Sequence, residues 1–280
     1  MARILVTGGS SVVGDYLLPR LAALGHQVTV LSRQSHGEPG WRRVDAAREQ
    51  VWDESLAGTE ALINLAPLPL LSRLLPAAPA SLKRVVAIGT TSVYTKGESS
   101  SPKDRELVRL QRAAEQGLFD ACAARGTDYT LFRPTLVYDG MRDKNVARIA
   151  RLIRSFGFFP VASPGKGLRQ PLHADDLAAA CIAALAARGS ASYELAGGEQ
   201  LSYRAMLERI FRSLGREPRI LPLPVGLYRA GIAAARLLPR YRTLTPAMAE
   251  RMNQDMVFDS SAASRDFGLK PRGFAPGVPA

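Results

Sequence analysis

The residues of this 280-residue chain best suited to chemistry stand close to its start. Thr7, Gly8, Gly9, Ser10, Ser11, Val12, Val13 and Gly14 follow a β-rich run over 3–7 and lead into a helical pattern over 15–24. A strand that passes through glycines into a helix is the context for holding the pyrophosphate of a dinucleotide. Gly8 permits the tight turn, and Gly14 lets the helix pack closely on the strand. The helix amino end offers unbonded N–H groups and the positive end of its dipole. All seven residues from Gly8 to Gly14 are therefore candidate cofactor contacts. Ser32 and Arg33 close the second strand. An acid there would grip the ribose hydroxyls of NAD, whereas a guanidinium can fork onto the 2′-phosphate of NADP. Arg33 thus favours NADP, with NAD as the alternative. The plainer reading is a solvated loop arginine, one of 37 basic residues.

Elsewhere the reactive side chains are scattered. Cys122 and Cys181 lie far apart in alanine-rich stretches, which suits small buried thiols in a reducing compartment, and no metal site is expected. His173 could shuttle a proton, but a turn histidine beside the helix-starting Asp175 and Asp176 explains it more simply. The 37 Lys and Arg against 25 Asp and Glu leave a net charge of +12. The excess concentrates in 142–169, with seven basic residues against one acidic, and in 201–242, with nine against two. Such segments could meet nucleotide phosphates, nucleic acid or anionic membrane. Neither interleaves aromatic residues, so nucleic acid is not expected. The stretch 220–238 is apolar with Arg229 and Arg236 on its flank and could lie on a membrane surface, although burial is the simpler use. The start turns glycine-rich too soon for a signal peptide, and no run of about 18 apolar residues follows. A cytoplasmic protein is expected.

Positioning these residues requires a sheet. With 46% hydrophobic and 22% charged residues the chain can bury a core without staples, which excludes disorder and a disulfide scaffold. Short β-rich runs over 3–7, 27–31, 42–45, 61–65, 84–88 and 129–132 alternate with helical patterns, the longest over 104–125. This is the signature of a parallel sheet covered by helices. Helical patterns then recur over 145–156, 176–187, 203–214 and 226–237.

With these motifs in place, the chain resembles the extended short-chain dehydrogenase/reductase superfamily, and within it the NAD-dependent epimerase/dehydratase family. TGGSSVVG stands where that family shows TGxxGxxG, with Ser11 at the middle glycine. LINLAP resembles its fourth-strand segment, GTTSVY its SSxxVY, RPTLVYDG its RPxxVYG, and HADD its VDD-like turn. The near-terminal MVFDSSAASRDFGLKPRGF resembles the family's FD...A...LG..P pattern. The resemblance implies an α/β fold: a doubly wound parallel Rossmann sheet over 1–140 and a smaller, mainly helical substrate lobe over 141–280. It adds Asp45, Leu65, Ala66, Pro67 and Pro134 to the cofactor contacts, Asp45 meeting the adenine. It also implies a small-molecule substrate such as a nucleotide sugar, with Arg142 and Arg169 available to its diphosphate.

The resemblance further implies a Ser/Thr that orients the substrate oxygen and a YxxxK pair for proton transfer. Thr90 takes the first position. The pair falls on Leu107 and Gln111, aligned through Glu115, and neither residue can do its work. No other Tyr is followed four residues later by Lys. Tyr94, Lys96, Lys103 and Asp104 are the substitutes near the expected cleft, Tyr94 being the candidate catalyst. Ala66 and Arg84 are only eighteen positions apart, so the usual crossover helix, part of the family's dimer interface, looks abridged. Two functions compete. One is an NADP-binding oxidoreductase or epimerase with a non-standard proton donor. The other is a non-catalytic NADP-binding sensor or scaffold, which Leu107 and Gln111 favour.

Overall fold

Runs such as Ile4-Leu5-Val6 and Val85-Val86-Ala87 are apolar at every position because the strands that carry them are covered on both faces. The computed structural model describes all residues except 35–36, 47, 238, 240–244 and 278–280. Its first half comprises β1 (Arg3–Thr7), α1 (Gly14–Ala23), β2 (Gln27–Ser32), β3 (Trp41–Arg43), β4 (Ala61–Asn64), α2 (Leu68–Leu74), β5 (Arg84–Ile88), α3 (Ser92–Thr95), α4 (Pro102–Arg125) and β6 (Asp128–Pro134). There follow β7 (Val137–Tyr138), α5 (Val146–Phe156), β8 (Phe159–Ala162), β9 (Leu168–Arg169), β10 (Leu172–His173), α6 (Ala174–Ala184) and β11 (Ala191–Leu195). The chain continues through β12 (Leu201–Ser202), α7 (Tyr203–Ser213), β13 (Ile220–Leu223), α8 (Val225–Ala235), α9 (Ala247–Arg251) and α10 (Ser261–Phe267).

Seven parallel strands form one sheet in the order β11-β6-β5-β4-β1-β2-β3. This is the doubly wound Rossmann architecture, and its strand order reverses between β1 and β4. Alternation along β1 sends Ile4 and Val6 to the face under α1 and α6, and Leu5 to the face under α2 and α4. A third core gathers α5, β8 and α7 around Ile153, Val161, Met206 and Phe211, closed by Tyr228 and Met252. Residues beyond 140 also return to the sheet, since α6 and α10 pack on one face and β11 extends its edge.

Three features depart from the sequence reading. Strand β11 was not expected: its ASYEL run is half exposed at the sheet edge and lacks an apolar signal. The short crossover after Ala66 does carry a helix, α2, with prolines confined to its start, where a missing N–H costs nothing. Strand β3 ends at Arg43, so Asp45 lies past it. In the 220–238 stretch, Tyr228 and Ile232 are buried while Leu221 and Leu227 are exposed. Leu238, Arg240 and Arg242 fall outside the described residues. Among the described residues no helix is long and apolar enough to cross a membrane, and no cluster of His, Cys, Asp and Glu could hold a metal ion.

Candidate functional site

The turn between β1 and α1 is built on close backbone approaches. Gly8 has φ +70°, and a Cβ there would stand 2.6 Å from the Ala66 nitrogen, so only glycine lets this turn lie against the end of β4. A Cβ on Gly14 would come within 1.8 Å of the Gly9 carbonyl oxygen. Gly9 itself faces Val30, 2.4 Å from where its Cβ would be, so its small size serves packing on β2. At the mouth of α1 the Ser11 hydroxyl accepts from the Gly14 N–H at 3.3 Å. The N–H groups of Val12 and Val13 meet no backbone carbonyl among the described residues. Beneath the turn, Thr7 Oγ1 donates to Asn64 Oδ1 at 2.6 Å and Asn64 Nδ2 donates to the Ala66 carbonyl at 2.9 Å. Asn64, the third residue of LINLAP, thereby ties β1 to β4 at the point where the strand order reverses.

In front of the turn lies a cleft of about 770 Å³ lined by Gly9, Ser10, Gly14, Ser32, Arg33 and Arg142, among others. Arg142, expected at the substrate, stands instead at this cleft and pairs with Asp15 in the first turn of α1. Leu65, Ala66 and Pro67 carry the chain from β4 to α2, with the Leu65 N–H bonded to the Thr7 carbonyl at 2.9 Å. Asp45 is not among the residues lining the cleft, and its carboxylate lies 3.7 Å from Arg48.

A larger cavity of about 920 Å³ opens between the carboxyl ends of β5 and β6 and the helices of the second half. Thr90, Lys96 and Pro134 line its sheet side. The Thr90 hydroxyl accepts from the Ser92 N–H at 3.1 Å, leaving its own proton to donate. Thr91 Oγ1 donates to the Pro134 carbonyl at 3.1 Å, which fixes this corner. Tyr94 is a correction: it does not line the cavity. Its ring is half exposed, its hydroxyl donates to Glu194 at 2.6 Å, and the Arg133 guanidinium sits 5.7 Å from the ring centre. Burial and that hydrogen bond push the phenol above its ordinary range.

Lys96 does face the cavity. Burial, seconded by Arg251, lowers its proton affinity, while Asp104 at 4.0 Å opposes the shift. Arg251 in turn holds Asp104 at 2.6 Å. Arg169 lines the cavity as expected, but its donors are committed elsewhere. Its guanidinium donates to the carbonyls of Leu168 at 2.7 Å, Gln254 at 2.8 Å and Arg251, and rests 5.2 Å from the Tyr203 ring centre. Those bonds staple β9 to the end of α9, so few donors remain for a diphosphate. His173 caps α6, its Nδ1 accepting from the Asp175 N–H at 3.1 Å, and burial lowers its pKa. On α4, Leu107 is 40% exposed, whereas Gln111 has a buried Oε1 without a hydrogen-bond partner. One turn further, Glu115 grips Arg133 at 2.7 Å.

With this geometry described, a family profile for the NAD dependent epimerase/dehydratase family matches residues 4–72 and 68–196. The chain belongs to that family. Among its relatives is the uncharacterized protein y4nG of Sinorhizobium fredii, 26% identical over 96% of this chain and 74% of that protein. Another is the 2-alkyl-3-oxoalkanoate reductase of Stenotrophomonas maltophilia, 24% identical over 96% of this chain and 95% of the other. Among solved structures, MoeE5 in complex with UDP-glucuronic acid and NAD superposes with a TM-score of 0.73 at 19% identity, covering 98% of this chain and 95% of that one. As an epimerase/dehydratase-family fold, the chain has a turn that suits a dinucleotide on its own geometry. The glycine cradle is formed, and the N–H groups of Val12 and Val13 just before α1 meet no backbone carbonyl among the described residues. Arg251 and Asn64 were missed by sequence reasoning. Arg251 reaches the cavity from about 150 positions away in the chain, and nothing in its local sequence marks it.

Proposed function

We propose that this chain binds NADP in the cleft before α1 and acts as an oxidoreductase or epimerase on a small carbonyl or alcohol substrate held in the larger cavity. The observation that carries this reading is that cradle and cavity share the carboxyl edge of one sheet, at and beside its switch point, where ligands of such folds bind. The N–H groups of Val12 and Val13, with Gly8 to Ser11 and Gly14 shaping the turn, would hold the pyrophosphate. Ser32 and Arg33 would hold the 2′-phosphate, Leu65 to Pro67 and Pro134 would wall the groove, and Arg142 would exchange Asp15 for phosphate.

When bound, the nicotinamide supplies or accepts the hydride. The chain's own residues then have to hold the substrate oxygen and move one proton. Thr90 would donate its hydroxyl proton to that oxygen, and Lys96 Nζ, with its depressed proton affinity, would exchange a proton with it. The relative named as a 2-alkyl-3-oxoalkanoate reductase supports a carbonyl substrate, and the neighbour holding UDP-glucuronic acid and NAD supports a nucleotide sugar. The two free buried thiols suit the cytoplasm. The test is titration with NADPH followed by a turnover screen over ketones, oxo acids and nucleotide sugars. Lys96→Met should abolish turnover and leave nucleotide affinity within about twofold. A second reading, a nucleotide sensor without turnover, is favoured by the exposed Leu107 and the outward Tyr94. Nucleotide binding with no turnover on any substrate class would select it.

A further inference from the structure

The proposed function leaves the substrate class open, and this inference rests on that reading while going further. The cavity is polar at one end and apolar at the other. Along its lobe side α5 presents Arg148 near its amino end, then Ile149 and Leu152, and finally Phe156, about 12 Å further along the helix axis. Phe158, just before β8, continues the apolar wall with Leu221 of β13 and Ile232 of α8. Phe156, Phe158 and Leu221 are 53%, 42% and 47% exposed, an apolar surface that a soluble chain seldom leaves uncovered without a ligand or partner. The other end is cationic, lined by Lys96, Lys144, Arg148, Arg169 and Arg251, and suits an anionic head. Arg169 donates to backbone carbonyls, Arg251 and Lys96 lie against Asp104, and Arg148 lines the cavity from the first turn of α5.

We infer that the cavity takes a long-chain oxo acid or fatty acid, its carboxylate toward Lys96 and Arg148 and its alkyl chain along α5 to Phe156, Phe158 and Leu221. A nucleotide sugar would set its polar groups against that apolar wall.

The test uses the full chain without added nucleotide, loaded with the fluorescent fatty acid cis-parinarate and displaced by saturated acids from butyrate to laurate. Affinity should rise about three- to fourfold with each methylene until the cavity is full, and UDP-glucose should not compete. Phe158→Glu, and independently Leu221→Glu, should each weaken parinarate at least tenfold with an unchanged melting temperature. Displacement by UDP-glucose, a flat response to chain length, or full parinarate affinity in both variants would overturn the inference. NADPH is titrated into the same preparation. Nucleotide binding without acid binding refutes the acyl ligand alone, whereas acid binding without nucleotide binding refutes the proposed function and leaves the acyl ligand standing.

Discussion

Replacing Arg33 with alanine should separate NADPH from NADH. The side chain stands at the carboxyl end of β2, exposed, and lines the cleft together with Ser32. Only NADPH carries a 2′-phosphate on the adenosine ribose for it to meet. A hydrogen bond to a charged group contributes about 1.5–3 kcal/mol. Exposure to solvent favours the lower part of that range, because a unit charge pair at 4 Å is worth about 1 kcal/mol in bulk water and about 4 kcal/mol near a protein surface. A loss of about 1.5–2.5 kcal/mol corresponds to NADPH binding roughly ten- to sixty-fold weaker. NADH affinity should stay within about twofold. Arg33→Lys should recover part of the loss, since an ammonium supplies the charge without the fork. Nucleotide fluorescence titrations at low and moderate salt measure all three proteins, and the NADPH advantage should shrink as salt screens the contact. Equal weakening of both nucleotides, or of neither, would refute the assignment of Arg33 to the 2′-phosphate.

Other outcomes follow from the same structure. Glu115→Gln leaves Arg133 buried with Glu194, 3.6 Å away, and the Tyr94 ring, so stability should fall by about 2–3 kcal/mol, less than the roughly 3–5 kcal/mol that breaking a buried pair outright costs. Thermal denaturation should register this as a drop of roughly 4–12 °C, and an unchanged midpoint would contradict the pairing. Burial pushes the thiols of Cys122 and Cys181 up to about 11 and about 12, so a disulfide reagent should label neither at neutral pH until the chain is denatured. His173 must be neutral to cap α6, and its folded pKa is lowered. The unfolded chain therefore takes up the proton first, and stability falls as pH drops below about 6.5. His173→Asn keeps a cap acceptor without titrating and should flatten that part of the melting profile; an equally steep fall would show that other groups govern it.

The parts of the fold legible in the sequence are those where local and tertiary demands coincide. Strands β1, β4 and β5 are buried on both faces and spell continuous apolar runs, and the glycines after β1 are fixed by backbone contacts that no other residue permits. Strand β11 was hidden because an edge strand needs no apolar run. The site was only half legible for a different reason. Motif position located Thr90 at the cavity but could not show that Tyr94, four residues on, turns outward to Glu194. Arg169 matched a motif and looked available, yet its donors are taken by carbonyls at and just after the end of α9, more than eighty residues later. Charge and spacing reveal which groups could meet a ligand, while the contacts that occupy them come from distant elements.

Nucleotide binding at the turn between β1 and α1 underlies the proton-transfer roles assigned to Thr90 and Lys96, and calorimetric titration of the intact chain with NADPH and NADH measures it most directly. Saturable one-to-one binding is expected, tighter for NADPH. At a hundredfold excess over the dissociation constant it should add about 2.7 kcal/mol of stability, seen as a raised melting temperature. No binding heat and no thermal shift with either nucleotide at millimolar concentration would contradict it.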